Sequence, residues 1–273
     1  MLLSKGFFLM NYFAKVNVYL RSFGLKDGFY ITMLQALRGI GIHSRNEDKK
    51  RWVFVRSLGQ KVCIRPGTTD YYLLLDFFFK RSGIPMHYDI DFIRLLKGTT
   101  PKYVLDAGAN IGLFSLLIEE KYHPELLLAV EPESSNYELL RLNTRNRDNI
   151  ICIQTGIWKR KAFLKVVPSA AGKWGFTVKE CETGGDVQGI SITDLMEAEG
   201  IPYFDIVKMD IEGSEYHVFE DNHCEEWLSK TKILIIETHD VLIKGCTDTV
   251  MTRMIDMGFH SFTEGEDIIF YKE

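Results

Sequence analysis

The chain lacks the devices that hold small or membrane-spanning proteins together. Its five cysteines, Cys63, Cys152, Cys181, Cys224 and Cys246, are odd in number, and none stands in a CxxC pair. That speaks against a disulfide framework and a structural zinc knuckle. Scattered cysteines of this kind suit a reducing compartment, and the protein is expected in the cytoplasm. No stretch approaches the ~18 uninterrupted apolar residues that a membrane span needs. Lys5, Asn11 and Lys15 interrupt the apolar opening, which shows neither the continuous apolar stretch nor the cleavage site of a signal peptide. Internal repeats and low-complexity tracts are absent. So is a basic excess: 33 Lys and Arg face 37 Asp and Glu, a net charge of −4. That argues against a general nucleic-acid binder.

What is present is a folded-protein composition, 273 residues with 46% hydrophobic and 26% charged. The charge is unevenly placed. Residues 1–65 hold 12 basic and 3 acidic residues, net +9, and the remainder is net −13. This divides the chain into a basic, aromatic helical appendage over 1–62 and a larger domain over 63–273. In the appendage, Leu9, Tyr12, Phe13, Val16, Tyr19 and Leu20 recur at helical spacing. Arg45, Lys49, Lys50 and Arg51 precede a strand expected over 52–55. Two readings stay open for this segment. It docks on a membrane surface or a partner, or it packs on the main domain with a solvated basic face. Next, Tyr71, Leu75, Phe78 and Phe79 mark one face of a helix, with Thr69 or Asp70 as its N-cap.

From about residue 100, strands and helices alternate, which predicts an α/β, doubly wound, mostly parallel sheet. Helices are expected over 112–119, 135–146, 194–199, 214–220 and 247–257. β-like segments are expected around 161–167, 174–178 and 188–192, and a terminal hairpin turns at Gly265. Four strands end in an acid: Asp106, Glu131, Asp210 and Glu237. In such sheets ligands bind at the carboxyl ends of the strands, so all four should meet at one edge.

The first of these strands runs into Asp106-Ala-Gly108-Ala-Asn110-Ile-Gly112. The glycines permit a tight turn and close backbone approach to a ligand. A dinucleotide site would read GxGxxG here and hold a pyrophosphate, which Asp106 would repel. An acid in that place suits an ammonium group, such as the amino end of a methionine moiety. Glu131, at the end of the next strand, can accept two hydrogen bonds from ribose hydroxyls.

The segments DAGANIG at 106–112, VEPESSNYELLRLN at 130–143, DIVKMDIEGSE at 205–215 and IIETHD at 235–240 resemble the FkbM-type S-adenosylmethionine-dependent methyltransferases. IRPGTTD at 64–70 and ISITDL at 190–195 extend the likeness over roughly 62–271. The resemblance implies the class I methyltransferase fold, a Rossmann-like seven-stranded sheet whose last strand is antiparallel. It also implies methylation of hydroxyl groups on a glycan or glycosylated small molecule. By that likeness Asp106, Gly108, Asn110 and Gly112 surround the methionine part of the cofactor, and Glu131 holds its ribose. Ser135 or Asn136 lies near the same sugar, and Gly156, Ile157 and Trp158 lie against adenine. Trp158 departs from the small polar residue expected there, and its indole either stacks on the ring or packs in the core.

Methyl transfer to an alcohol needs alignment and removal of a poorly acidic proton. The first choice for a base is His239, whose ordinary pKa suits the task, with Asp210 orienting it or the substrate. The second is a divalent metal such as magnesium, held by Asp210, Glu237 and Asp240. Two other classes are possible from the sequence. A nicotinamide-dependent sugar oxidoreductase would need the GxGxxG turn that is missing. A non-catalytic cofactor-binding partner subunit would be expected to have lost a cofactor residue. The acidic catalytic region disfavours nucleic acid as acceptor. The basic appendage would place the enzyme peripherally at the inner membrane surface.

Overall fold

A computed structural model describes residues 2–39, 49–78, 90–168 and 176–272, with residues 2–15, 38 and 39 by their backbone alone. Arg45, Phe79 and the side chains of Leu9, Tyr12 and Phe13 lie outside that description. The chain forms two compact units, Met1–Asp89 and Ile90–Glu273.

The first unit opens on α1 (Leu2–Gly39), interrupted at Gly24, whose φ of 75° only glycine adopts readily. The two halves pack against each other. A Cβ on Gly28 would meet the Tyr19 carbonyl oxygen at 2.6 Å, and the Tyr19 hydroxyl donates to Gln35 Oε1. β1 (Arg51–Val55) and β2 (Gln60–Ile64) form an antiparallel hairpin with Arg51 opposite Ile64. α2 (Asp70–Phe78) follows. The boundary expected after residue 62 therefore has to move. It would cut β2 out of its hairpin, and the chain divides after Asp89 instead.

The buried face of α2 is Tyr71, Leu74, Phe77 and Phe78, with Leu75 half-buried. Neither expected cap operates. Asp70 is wholly buried and accepts from Arg65 Nε at 2.8 Å, Arg65 Nη2 at 2.9 Å and the Arg65 N–H at 2.8 Å. Thr69 Oγ1 is buried with no hydrogen bond, and the Asp70 N–H goes to Thr68 Oγ1 at 3.2 Å. None of the five cysteines is in a disulfide.

The second unit contains α3 (Phe92–Leu95), β3 (Tyr103–Ala107), α4 (Leu113–Tyr122), β4 (Leu126–Val130), α5 (Ser134–Thr144) and β5 (Ile150–Ile153). β6 (Gly156–Ile157), β7 (Ala162–Pro168), β8 (Phe176–Cys181) and β9 (Val187–Ile190) come next. Then follow α6 (Ile192–Glu199), β10 (Phe204–Met209), α7 (Ser214–Phe219), α8 (Cys224–Ser229), β11 (Thr231–Glu237) and α9 (Cys246–Asp256). β12 (His260–Glu264) and β13 (Asp267–Tyr271) close the chain as an antiparallel pair.

Seven strands form one sheet in the order β12-β13-β11-β10-β3-β4-β5. β11, β10, β3, β4 and β5 run parallel, and β13 lies antiparallel to β11. Every residue of β10 is buried, as a central strand covered on both faces requires. Its Phe204, Val207 and Met209 join Leu105, Leu128, Leu234 and Trp227 in one core. α6 begins at a capping box in which Ser191 Oγ accepts the Asp194 N–H at 3.0 Å and donates to Asp194 Oδ2 at 2.7 Å. A separate sheet, β6-β9-β7-β8, is inserted between β5 and α6. No helix among the described residues is long and apolar enough to cross a membrane.

Candidate active site at the carboxyl edge of the sheet

β4, β3, β10 and β11 are consecutive in the sheet, so their carboxyl ends present Glu131, Asp106, Asp210 and Glu237 in a row. The connections from β3 and from β10 leave to opposite sides, and the edge between them is the switch point where α/β sheets bind ligands.

The loop after β3 is tightly built. Gly108 has φ 80°, and a Cβ there would sit 1.8 Å from the Asp210 carbonyl oxygen. Asn110 takes φ 50° without being glycine, and its N–H donates to Glu131 Oε2 at 2.9 Å. Gly112, at φ 86°, lets α4 approach α5, since a Cβ would meet Leu140 Cδ1 at 2.7 Å. Glu131 also accepts the Glu133 N–H at 2.8 Å through Oε1. The Asn136 side chain hydrogen-bonds the same carboxyl group. Burial pushes this carboxyl up to about 7, against the lowering effect of those two N–H groups.

Asp106 lies beneath this loop. It is wholly buried, and Ser115 Oγ donates to its Oδ2 at 2.6 Å. Lys208, which the sequence reading passed over, supplies a buried ammonium 4.0 Å from Asp106 Oδ1, 3.3 Å from Asp210 Oδ2 and 3.3 Å from the Gly108 carbonyl. Burial raises the Asp106 carboxyl above the usual range, with Lys208 and Ser115 pulling the other way. Burial disfavours the Lys208 ammonium, yet Asp210 and Asp106 hold it above its ordinary value. Asp106 Oδ1 and Asn110 Oδ1 are both buried without a hydrogen-bond partner. Two orphaned acceptors beside a glycine loop fit a ligand that brings donors, as an amino group does.

Ser135 and Asn136 open α5, but their local partner is Glu133. Ser135 Oγ donates to Glu133 Oε2 at 2.6 Å, and the Asn136 N–H does so at 2.7 Å. Gly156, Ile157 and Trp158, expected against adenine, lie at the inserted sheet. Gly156 and Ile157 belong to β6 of the inserted sheet, and both are buried. The Trp158 indole is also buried, 4.6 Å from the His217 ring between centroids, and donates to Glu180 Oε2 at 2.9 Å.

Beyond β10 and β11 a second group converges. His239 Nε2 lies 3.8 Å from Asp210 Oδ1, 3.7 Å from Glu212 Oε2 and 3.6 Å from Glu237 Oε1. Its Nδ1 faces Glu215 Oε1 at 3.3 Å, an ion-pair distance without an aligned hydrogen bond. Glu215 is committed to the turn, where it accepts the Ile211 and Gly213 N–H groups, each at 2.7 Å. Burial lowers the imidazole, but Glu215, Asp210 and Glu212 outweigh it and raise the ring to about 9. His239 is therefore an imidazolium near neutrality, not the free base its ordinary pKa promised. Burial and Asp210 raise Glu212 and Glu237 to about 7.

The metal set changes as well. Asp240 is exposed and turned to its own loop, where Oδ1 accepts the Gly245 N–H at 2.9 Å and Oδ2 the Thr247 N–H at 3.1 Å. Among the described residues, Asp210, Glu212 and His239 have ligand atoms within 4.8 Å of one another.

A parallel sheet in this order with an antiparallel last strand, a glycine loop after its first strand and a carboxylate after its second defines a class I methyltransferase fold. The family described as methyltransferase FkbM domain matches residues 106–261, and the chain belongs to it. Methyltransferase sdnD of Sordaria araneosa is 26% identical over 192 residues, which span 58% of this chain and 73% of that protein. Hexuronic acid methyltransferase AglP of Haloferax volcanii is 26% identical over 152 residues, 55% of this chain and 62% of that one. A solved methyltransferase FkbM from Methylobacillus flagellatus is 17% identical with a TM-score of 0.44, covering 63% of this chain and 44% of its own. The chain thus spans less than half of that solved structure. Family membership sets aside the nicotinamide oxidoreductase reading.

Proposed function

We propose that the chain transfers a methyl group from S-adenosylmethionine to a hydroxyl group of a saccharide or a glycosylated small molecule. The observation that carries this reading is the Asp210, Glu212, Glu237 and His239 cluster. Carboxylates are acceptors, which suits a polyhydroxyl ligand. They repel an anionic acceptor group. The hexuronic acid in the name of one relative offers both hydroxyls and a carboxylate, and the cluster favours the hydroxyl.

When bound, the cofactor supplies a methyl group already activated on a sulfonium. Asp106 and Asn110 offer orphaned acceptors to its amino group, and Glu131 offers its carboxylate to the ribose hydroxyls. Because the Glu131 carboxyl sits at about 7 before binding, affinity for S-adenosylhomocysteine should weaken as pH falls below that value. Glu131→Gln should weaken it about 10- to 100-fold, as expected for charged hydrogen bonds lost. Titration calorimetry checks both, and an unchanged affinity would remove Glu131 from the ribose.

Glu212 and Glu237 are the groups poised to accept the hydroxyl proton, with His239 as the cation that keeps the neighbouring carboxylates ionised. The rate should rise as pH climbs through about 7 and fall above about 9, a bell set by the carboxyls and the imidazolium. His239→Gln should lower kcat about 100-fold and erase the alkaline limb. A chelator should leave the rate unchanged, because the imidazolium holds the place a divalent ion would take. Loss of activity on chelation would establish the metal instead. The assay supplies methyl-labelled cofactor with a panel of neutral glycosides and hexuronic acids, followed by mild alkali. Label that survives alkali is an ether, as expected; label released by alkali is an ester and overturns the hydroxyl assignment.

A further inference from the structure

The half of α1 that follows Gly24 carries apolar side chains outward. Leu25 is 80% exposed, Phe29 67% and Met33 43%, spaced every four residues and so aligned on one face of the helix. Their partners in a core would be expected among residues like these, yet the opposite face already fills that role, with Ile31 and Thr32 buried. Exposed apolar rows of this kind mark contact surfaces.

The charge around the row decides what it contacts. Lys26 lies next to Leu25 on this half, Arg21 lies in the turn of helix just before Gly24, and both are exposed. Asp27 is the one acid in residues 1–39, against five Lys and Arg. It is buried, accepts the Phe54 N–H at 2.9 Å and faces Arg51 at 3.6 Å. The exposed face of this helix among the described residues therefore presents apolar side chains and cations without a balancing carboxylate. A protein partner of ordinary mixed charge would leave those cations partly unmatched. An anionic bilayer matches both features, because acyl chains take up the apolar row while headgroup phosphates lie level with the lysine and arginine.

We infer that Leu25, Phe29 and Met33, together with Arg21 and Lys26, form a docking face for an anionic membrane surface. The helix lies in the interface and does not span it. This inference stands apart from the methyl-transfer reading, since it uses none of the residues at the sheet edge.

The test is co-sedimentation of the full chain with vesicles of phosphatidylcholine alone and with vesicles containing phosphatidylglycerol. Binding at least about tenfold stronger to the anionic vesicles is expected, weakening with salt. Leu25→Gln with Phe29→Gln should abolish it, and Arg21→Gln with Lys26→Gln should reduce it about tenfold. Both pairs are exposed, so a circular dichroism spectrum and thermal midpoint matching the parent confirm that the fold is kept. Three results overturn the inference: no binding to either vesicle, equal binding by parent and Leu25/Phe29 variant, or self-association abolished by Phe29→Gln without vesicle binding. The last would make the face a contact between copies of this chain.

Discussion

Lys208→Met should lower the thermal midpoint by about 10 °C, the largest stability loss expected from any single side chain of the sheet. The lysine stands between Asp106, which is wholly buried, and Asp210, and it also donates to the Gly108 carbonyl. Methionine fills similar space but leaves a buried carboxylate with only Ser115 as a donor. Removing one member of a buried pair typically costs about 3–5 kcal/mol, because the remaining charge is uncompensated. The sign of its pH dependence follows. Asp106 already has a raised carboxyl, and without Lys208 it rises further. A carboxyl whose folded value exceeds its unfolded one loses stability as pH increases between the two. The deficit should therefore be smaller at pH 5 than at pH 8. Scanning calorimetry at both values checks it, and adding Asp106→Asn should restore part of the loss. A deficit that grows in acid would contradict the pairing.

Gly108→Ala is the second large effect. Alanine disfavours a φ of 80°, and its Cβ would lie 1.8 Å from the Asp210 carbonyl oxygen. Both clashing groups are backbone, so no side-chain rotation relieves them. The combined conformational and steric cost is about 3–5 kcal/mol, and binding of S-adenosylhomocysteine should fall more than about 100-fold as the loop is displaced. Gly184→Ala is the control, because Gly184 has φ 72° with nothing within 4 Å of a Cβ. It should lose only the conformational part, about 1–2 kcal/mol. Equal losses at the two glycines would show that the approach to Asp210 is not what Gly108 serves.

Much of the fold was legible because each long element carries its own period. The alternation of apolar strands with amphipathic helices placed β3 through β5, β10, β11 and the terminal hairpin within a few residues of their bounds. The elements that escaped are short: α3 has four residues, β6 two and α8 six. None completes enough of a helical or strand repeat to stand out from its neighbours. The boundary after residue 62 followed a change in charge, but β2 is held by hydrogen bonds to β1, and charge carries no information about that pairing.

The site divides the same way. Four strands ending in an acid brought Asp106, Glu131, Asp210 and Glu237 to one edge, because strand direction is implicit in the alternation. Lys208 was missed because a lysine inside a buried strand breaks the apolar pattern and gives no sign of which carboxylates it will meet. Glu212 joins His239 through a turn whose positive φ at Glu212 and Gly213 aims the side chain. Asp240 has the carboxylate of a ligand and a place three residues past the strand end, yet the Gly245 and Thr247 N–H groups claim it.

The sequence by itself determined the layer order, the family and the identity of the carboxylates at the binding edge, since these follow from periodicity and local motifs. Only the tertiary structure decided the protonation of that edge. A pKa depends on burial and on charges brought together from distant parts of the chain, and residues 106, 208, 210, 212, 237 and 239 meet only once the sheet has formed.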